Sequence, residues 1–103
     1  MDAQTFRNFF LGFIKIHILH HANQEPIYGQ EFSNELRRHS YEISFGTLYP
    51  IFHKLESDGL LISKGKTVNG KIRKYYSLTK KGKQVLEESK LKAKELVEEL
   101  FKD

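Results

Sequence analysis

The sequence predicts a mostly α-helical protein with one small β-hairpin, and three observations indicate this fold. A capped helix begins near Ser44 and ends at Gly59, a basic hairpin that turns at Asn69-Gly70 follows directly, and amphipathic helices are predicted at both ends of the chain. A helix followed by a cationic two-stranded ribbon is the element order of a winged helix-turn-helix. The predicted architecture adds an N-terminal helix and a long C-terminal dimerisation helix.

The chain of 103 residues is long enough for one hydrophobic core but not for two. We therefore expect one compact domain, with the winged helix in residues 1–79 and the dimerisation helix in residues 80–103. The sequence contains no cysteine, which excludes disulfides and thiolate metal sites and suits a reducing cytoplasm. The apolar run 9–14 is broken by Lys15 after six residues, too early for a membrane span or a signal peptide.

The first half of the chain predicts two helices and a short strand. Residues 4–22 form the first helix, because phenylalanines recur at steps of three and four before Asn23 and Pro26 end the pattern. Residues 28–38 form the second helix, in which Gly29 indicates close approach to another backbone, that of a protein or the phosphates of a nucleic acid. Residues 41–43 alternate in polarity and predict a third strand for a small sheet.

The next segment, residues 45–58, is the predicted recognition helix. Ser44 is its N-cap, because the hydroxyl can accept a hydrogen bond from the amide of residue 46 or 47, and Gly59 ends it. Pro50 lies past the first turn and removes one internal hydrogen bond. We therefore expect an irregular or bent start to this helix.

A hairpin, which we call the wing, is predicted from strands at 61–67 and 71–78. Asn-Gly is the strongest short signal for a two-residue hairpin loop, because both turn positions need positive φ. That loop sets the register, so that one face carries Lys64, Lys66, Arg73 and Tyr75. Leu61, Tyr76 and Leu78 share the other face and anchor the wing in the core.

Positive charge is concentrated on the wing and the turn after it. Residues 60–82 hold seven lysines and arginines and no acid, whereas the segments before and after carry −2 and −1 of the net +4. Facing lysine and arginine side chains repel each other across a ribbon unless an anion screens them. The natural partner of such a surface is a polyanion such as double-stranded DNA.

The last predicted helix, residues 80–102, is capped by Thr79 and has a narrow apolar seam. The rest of a domain this small offers little surface to cover that seam, so we expect a second copy of the chain to cover it. The expected homodimer interface combines the seam with the first helix and comprises Phe6, Phe9, Phe10, Phe13, His17, Ala93, Leu96, Val97, Leu100 and Phe101.

Two central motifs resemble those of the PadR family of bacterial and archaeal transcriptional regulators. The family signature S-P-G-T-L-Y-P, followed later by G-L-L, is similar to residues 44–50 and 59–61. The wing motif G-R-x-R-K-Y-Y-x-L-T-x-x-G is similar to residues 70–82, and an upstream P-x-x-G-Y-E-I pattern to residues 26–32. Three positions depart from the pattern, where Phe45 replaces proline, Gln30 replaces tyrosine and Lys71 replaces arginine.

The resemblance implies a winged-helix homodimer that binds operator DNA. In the small subfamily the first helix and a single C-terminal helix hold the dimer, and the family often senses small aromatic or hydrophobic compounds. We accordingly expect a cytoplasmic regulator, a repressor of a palindromic operator, with a small hydrophobic effector as a further partner. The residues expected to contact DNA are Tyr28, Gly29, Gln30, Ser44, Gly46, Thr47, Tyr49, His53, Lys54, Lys64, Lys66, Lys71, Arg73, Lys74 and Tyr75.

Other classes of function fit the sequence less well. His17 and His21 share a helix face, but no third ligand follows in a metal-site pattern, so neither a metal nor another cofactor is expected. There is no glycine-rich phosphate loop, thiol or paired carboxylate motif, so we do not expect an enzyme. The first helix has too few basic residues for a membrane-surface helix. The alternative from another class is a winged-helix module that binds a protein and no operator.

Overall fold

The computed structural model describes residues 2–102 and contains five helices and one three-stranded sheet. The elements are α1 (Ala3–Phe9), α2 (Leu11–Gln24), β1 (Ile27–Tyr28), α3 (Gly29–Arg38), α4 (Phe45–Ser57), β2 (Leu61–Val68), β3 (Lys71–Leu78) and α5 (Lys80–Leu100). This confirms the mostly helical winged helix-turn-helix. Met1 and Asp103, the outer ends of the two predicted segments, lie outside the described residues.

The predicted first helix is two helices that meet at Phe10. Its backbone leaves helical values there (φ −98°, ψ 13°), so the prediction of one helix over 4–22 is wrong. The break accompanies aromatic packing, because the rings of Phe6 and Phe10 lie 6.0 and 6.3 Å from that of Tyr41. At the start of α1, the Asp2 carboxylate accepts a 2.8 Å hydrogen bond from the Thr5 amide.

The third strand is also not where the sequence placed it. Residues 41–43 are not a strand; instead the buried Ser33 hydroxyl donates a 2.6 Å hydrogen bond to the carbonyl oxygen of Ile43. The strand is β1, in which Ile27 pairs with Tyr76 and Tyr28 with Tyr75, giving the antiparallel order β1-β3-β2. A two-residue strand directly after Pro26 leaves too short a pattern to recognise in sequence.

The recognition helix, α4, has the predicted ends. The Ser44 hydroxyl accepts a 3.3 Å hydrogen bond from the Thr47 amide, and Gly59 follows the helix with φ +81°. The amides of Gly59 and Leu60 donate to the carbonyls of Glu56 and Leu55, the pattern of a Schellman motif. Pro50 lies inside a helix that continues without a break from Phe45 to Ser57, and the predicted bend at its start stays a prediction.

The wing has the predicted turn and register. Asn69 and Gly70 have φ of +51° and +78°, and the pairs Lys66 with Arg73 and Lys64 with Tyr75 occur as predicted. Side chains alternate along both strands. The core face of the wing therefore comprises Leu61, Ser63, Gly65, Thr67, Ile72, Lys74, Tyr76 and Leu78, and the outer face comprises Ile62, Lys64, Lys66, Val68, Lys71, Arg73, Tyr75 and Ser77.

The hydrophobic core lies between α2, α3, α4 and the core face of the wing. Its largest fully buried side chains are Ile14, Ile18, Leu36, Leu48, Phe52 and Leu86. The Phe52 ring packs 4.7 Å from Tyr76, so α4 lies against the base of the wing. The start of α5 is fixed to the end of α4, because the Thr79 hydroxyl donates a 2.6 Å hydrogen bond to the Gly59 carbonyl while accepting one from the Gly82 amide.

Candidate nucleic-acid interface

The N-terminal end of α4 is an exposed polar surface. Ser44 and Gly46 are exposed, and the Ser44 hydroxyl lies 3.2 Å from that of Thr47 as well as capping its amide. A Cβ atom added at Gly46 would have only the Ser44 Oγ within contact range, at 3.9 Å. Backbone and hydroxyl groups at this end of the helix are therefore open to a ligand such as a phosphate or a base edge.

An aromatic row runs along the exposed side of α4 at four-residue spacing. The ring of Tyr49 meets that of Phe45 edge-on at 6.1 Å and stacks on that of His53 at 6.2 Å. Lys54, the next basic residue, forms a 3.0 Å ion pair with Asp58, the C-cap of the same helix. The sequence-predicted positions Thr47, Tyr49, His53 and Lys54 thus lie off the buried stripe, but the charge of Lys54 already has a partner.

Gly29 lies against Phe45 and not against a backbone. A Cβ atom at Gly29 would overlap Cε1 of the Phe45 ring, so the close neighbour of Gly29 within the chain is a side chain, and the approach of a phosphate stays a prediction. This contact joins the first residue of α3 to the first residue of α4. It brings Tyr28, Gly29 and Gln30 beside the N-terminal end of the recognition helix.

The outer face of the wing carries most of its cations. Lys64, Lys66 and Lys71 are exposed, and Arg73 is half-buried because its guanidinium lies 4.9 Å from the centre of the Tyr28 ring. The Tyr75 ring lies 5.8 Å from the same tyrosine. Within residues 2–102, none of these four basic side chains forms an ion pair. Their charge is available to an anion.

The two faces of the wing point in different directions, as the predicted register requires. Lys64, Lys66, Arg73 and Tyr75 share the outer face, opposite the face that packs against α4. Their link to the recognition helix runs through Tyr28, which contacts Arg73 and precedes Gly29. A duplex that touches both must therefore meet the edge and tip of the wing as well as the end of α4.

Lys74 alone among the predicted wing cations is on the core face. Its ammonium group lies 3.6 Å from the Glu56 carboxylate and 5.7 Å from the centre of the Tyr76 ring. The pKa of Lys74 is raised, first by the phenol of Tyr76 and then by the carboxylate of Glu56. Lys74 therefore stays charged, and part of its charge is already paired with α4.

Two features of this surface were not predicted from the sequence, the contact between Glu56 and Ser63 and the exposure of Ile72. Glu56 of α4 accepts hydrogen bonds from the amide and hydroxyl of Ser63 in β2, and these bonds hold the pKa of Glu56 below its usual value. The aliphatic side chain of Ile72, near the tip of the wing, is 79% exposed to solvent. Its alternation with Lys71 and Arg73 was visible in the sequence, but its exposure depended on how far the wing extends beyond the core.

A family model described as "Transcriptional regulator PadR-like family" matches residues 18–88, which include α3, α4 and the whole wing. The chain belongs to the PadR-like family of transcriptional regulators. Members of this family are DNA-binding regulators, and the motif resemblance seen in the sequence is confirmed. Transcriptional regulators of this kind are generally not enzymes.

Individual relatives agree along almost the whole chain. The "Transcriptional regulator Rv3488" of Mycobacterium tuberculosis is 42% identical over 95 residues, which cover 92% of this chain and 89% of that protein. The crystal structure of a PadR family regulator from Eggerthella lenta has 33% identity and a TM-score of 0.78, covering 94% of this chain and 83% of that one. A PadR-like regulator from Bacillus cereus has 31% identity and a TM-score of 0.78, covering 93% and 98%.

The predicted dimer residues fall into two groups. Phe6, Phe10 and His17 pack on Tyr41 inside the chain and are half-buried. Ala93 is half-buried, and the remaining six, Phe9, Phe13, Leu96, Val97, Leu100 and Phe101, are exposed. Between α2 and α5 lies an open groove of about 490 Å³, with Phe9, Phe13, Ile16 and Leu96 among its lining residues. None of the helices within 2–102 is both long and apolar enough to span a membrane.

Proposed function

We propose that this protein is a homodimeric regulator that binds a palindromic operator in a sequence-specific way and represses transcription in the cytoplasm. The observation that carries the proposal is the juxtaposition of two surfaces. The exposed end of α4 and the cations of the wing meet through the Gly29–Phe45 and Tyr28–Arg73 contacts. A single duplex could be read by the helix and held electrostatically by the wing.

The recognition helix would enter a major groove by its N-terminal end. Its 13 residues span about 20 Å, whereas the groove is about 12 Å wide, so the helix cannot lie across the groove along its full length. Ser44 and Thr47 would then contact bases or phosphates, and Tyr49 a phosphate. In a dimer, the two recognition helices would occupy successive major grooves about 34 Å apart on one face of the DNA.

The homodimer is supported by the C-terminal half of α5. Beyond Leu86, the described residues of this helix are all at least partly exposed, and Val97 and Leu100 are 52% and 66% exposed. These two side chains lie on the side of α5 that also carries Ala93 and Leu96, next to the groove between α2 and α5. A second copy that supplies its own α5 and its exposed Phe9 and Phe13 would cover this apolar surface.

Sedimentation equilibrium tests the dimer with one variant and a matched control. Val97→Glu places a charge in the seam and should yield a monomer at micromolar concentration. Leu91→Glu changes a residue of the same helix that is 69% exposed and lies about half a turn away from the seam, so it should leave the dimer intact. A monomeric wild type, or equal behaviour of the two variants, contradicts the proposed interface.

Fluorescence anisotropy with promoter DNA from the gene's own neighbourhood, across a salt series, tests operator binding. The wild type should prefer one inverted repeat over unrelated DNA. Replacing Lys64, Lys66, Arg73 and Lys74 by Ala should reduce the slope of log affinity against log salt by about 0.9 for each lost phosphate contact. The matched control replaces four lysines in or beside α5 by Ala, namely Lys83, Lys90, Lys94 and Lys102, and so lowers the net charge by the same four units.

The control variant should retain most of the salt dependence, since its lysines lie in or beside α5 and not in α4 or the wing. An equal loss of slope in both variants would mean that DNA affinity depends only on the net charge of the protein. Absence of sequence preference at every salt concentration would contradict operator binding. If the protein showed no sequence preference and also bound a stable protein partner, the alternative of a winged-helix module that binds a protein and no operator would be the better description.

A small hydrophobic effector is a second part of the proposal. The groove between α2 and α5 is predominantly apolar and lies where the two copies would meet. An apolar compound bound there would contact α2 and α5. It would change the distance between these two helices at the dimer interface, and with it the spacing of the two recognition helices. Release of operator DNA on addition of such a compound, with no release in a Phe13→Ala variant, is the expected result.

A further inference from the structure

Ile72 is a highly exposed aliphatic side chain within the wing cations. It is 79% exposed and stands two residues beyond the Asn69-Gly70 turn, between Lys71 and Arg73. A single exposed aliphatic residue is ordinary on a protein surface. Two further observations, on its support and on its direction, distinguish this one.

The support is Gly65, in the middle of β2. A Cβ atom at Gly65 would lie 3.1 Å from Cγ2 of Ile72. The isoleucine side chain therefore packs over Gly65, in space that a side chain at position 65 would occupy. The ladder from Leu61 to Val68 continues without a bulge, and the φ of Gly65 is not in the left-handed region. Glycine in a strand interior is unfavourable unless something approaches closely. Here the close neighbour is the side chain of Ile72.

The direction follows from the alternation of the strands. Ile72 and Lys74 are on the core face, the face whose base packs against α4 through Tyr76 and Phe52. Lys64, Lys66 and Arg73 point to the opposite side of the same ribbon. At the wing tip, the face on the same side as the recognition helix therefore carries Ile72 beside Thr67, whereas the nearby cations Lys66, Lys71 and Arg73 lie on the opposite face.

We propose that Ile72 is an apolar wedge that enters the minor groove of the duplex next to the major groove occupied by α4. Aliphatic wedges are common in proteins that contact the minor groove, where they pack against sugars or part a base step. Lys71 and Arg73, the neighbours of Ile72 in the chain, carry positive charge on the opposite face of the ribbon, and this charge attracts the duplex to the wing tip. The partner is the operator DNA itself, so this inference rests on the proposed function.

The test compares Ile72→Thr with Ile62→Thr in anisotropy titrations of the intact protein with operator DNA. Threonine keeps the branched shape and the strand preference, so the wing should fold in both variants. Ile62 is 61% exposed on the outer face near the base of the wing and serves as the control. Loss of a buried aliphatic contact in Ile72→Thr should lower affinity about tenfold, with the control unchanged.

The salt dependence separates the wedge from an electrostatic effect. An apolar contact releases no counterions, so Ile72→Thr should shift the curve of log affinity against log salt without changing its slope. Lys71→Gln should instead reduce the slope by about 0.9. A change of slope in Ile72→Thr, or a curve that coincides with that of the wild type, overturns the wedge.

The groove is tested by changing the base pairs at the outer edges of the footprint. Replacing A·T by G·C adds an amino group to the minor groove, whereas inosine·cytosine does not. The wild type should lose affinity with G·C and regain it with inosine·cytosine, and Ile72→Thr should respond less to both. An equal response of both proteins overturns the wedge alone. No operator binding by the wild type overturns the proposed function, and the wedge with it.

Discussion

The carboxylate of Glu56 accepts hydrogen bonds from both the amide and the hydroxyl of Ser63, and this pair joins the recognition helix to the wing. The hydrogen bond from the Ser63 amide is 3.1 Å long, and the ammonium group of Lys74 lies 3.6 Å from the other oxygen of the Glu56 carboxylate. Helix and ribbon are thereby fixed at the point where β2 leaves the core. The partly exposed Glu56 therefore adds a polar contact to the packing of Phe52 on Tyr76, which also holds α4 against the wing.

Removing this acid should weaken both stability and DNA binding. Glu56→Ala leaves the Ser63 amide without its partner, and we expect a loss of about 1–2 kcal/mol in the free energy of unfolding by urea denaturation. The control is Glu87→Ala, which removes an exposed ion pair with Lys90 and should cost less than about 0.5 kcal/mol. Equal losses would show that Glu56 has no special bracing role.

The contact of Gly82 with Leu60 predicts a severe effect of one methyl group. A Cβ atom at Gly82 would lie 2.2 Å from the Leu60 carbonyl oxygen and 2.6 Å from Cδ1 of Leu78, so backbone must move. We expect Gly82→Ala to lower the free energy of unfolding by about 3 kcal/mol. Gly46→Ala, where the nearest atom is 3.9 Å away, should not lower it. Wild-type stability of Gly82→Ala would contradict the close docking of α5.

The packing of Gly29 on Phe45 predicts an energetic coupling. Alanine at position 29 would press on the Phe45 ring, which can shift because it is exposed on one side, so Gly29→Ala should cost about 1–2 kcal/mol. In a Phe45→Ala background the same change should cost little. A double-mutant cycle by urea denaturation should therefore give a coupling of about 1 kcal/mol, and strict additivity would show that the two residues act independently.

A cluster of histidines between α2 and α3 predicts a loss of stability in mild acid. The His17 ring lies 4.6 Å from that of His39, and Glu35 is within 3.8 Å of both His21 and His39. Burial lowers the pKa of His17 and of His21 below 6.5, against the opposing pull of Glu35. Charge repulsion from the neighbouring imidazoles, among them His39 and His20, lowers the pKa of both groups further.

The sign of the pH effect follows from linkage. As the pH falls below 6.5 the unfolded chain takes up protons that the folded chain resists, so the free energy of unfolding falls until the folded pKa values are passed. Above the unfolded pKa this contribution is constant. Urea denaturation from about pH 8 to about pH 5, at fixed protein concentration, should show a smaller decline in His17→Gln than in the wild type or in Lys15→Gln. A steeper decline in His17→Gln would contradict the assignment.

The sequence by itself determined the elements whose signals are local. The Ser44 cap, the glycine after α4, the Asn69-Gly70 turn and the wing register all follow from interactions among residues close in the chain, and all occur as predicted. The concentration of positive charge and the family motifs were equally visible. These features were sufficient to identify a winged-helix DNA-binding regulator.

Only the tertiary structure decided how these elements face one another. The break at Phe10 and the pairing of Ile27 and Tyr28 with β3 arise from contacts with residues distant in sequence, Tyr41 and Tyr76 among them. The same holds for the exposure of Ile72, because packing against α4 buries the base of the core face and leaves the tip exposed. Periodicity gives the alternation of side chains along a strand, but packing decides which side meets the core and which remains open to a partner.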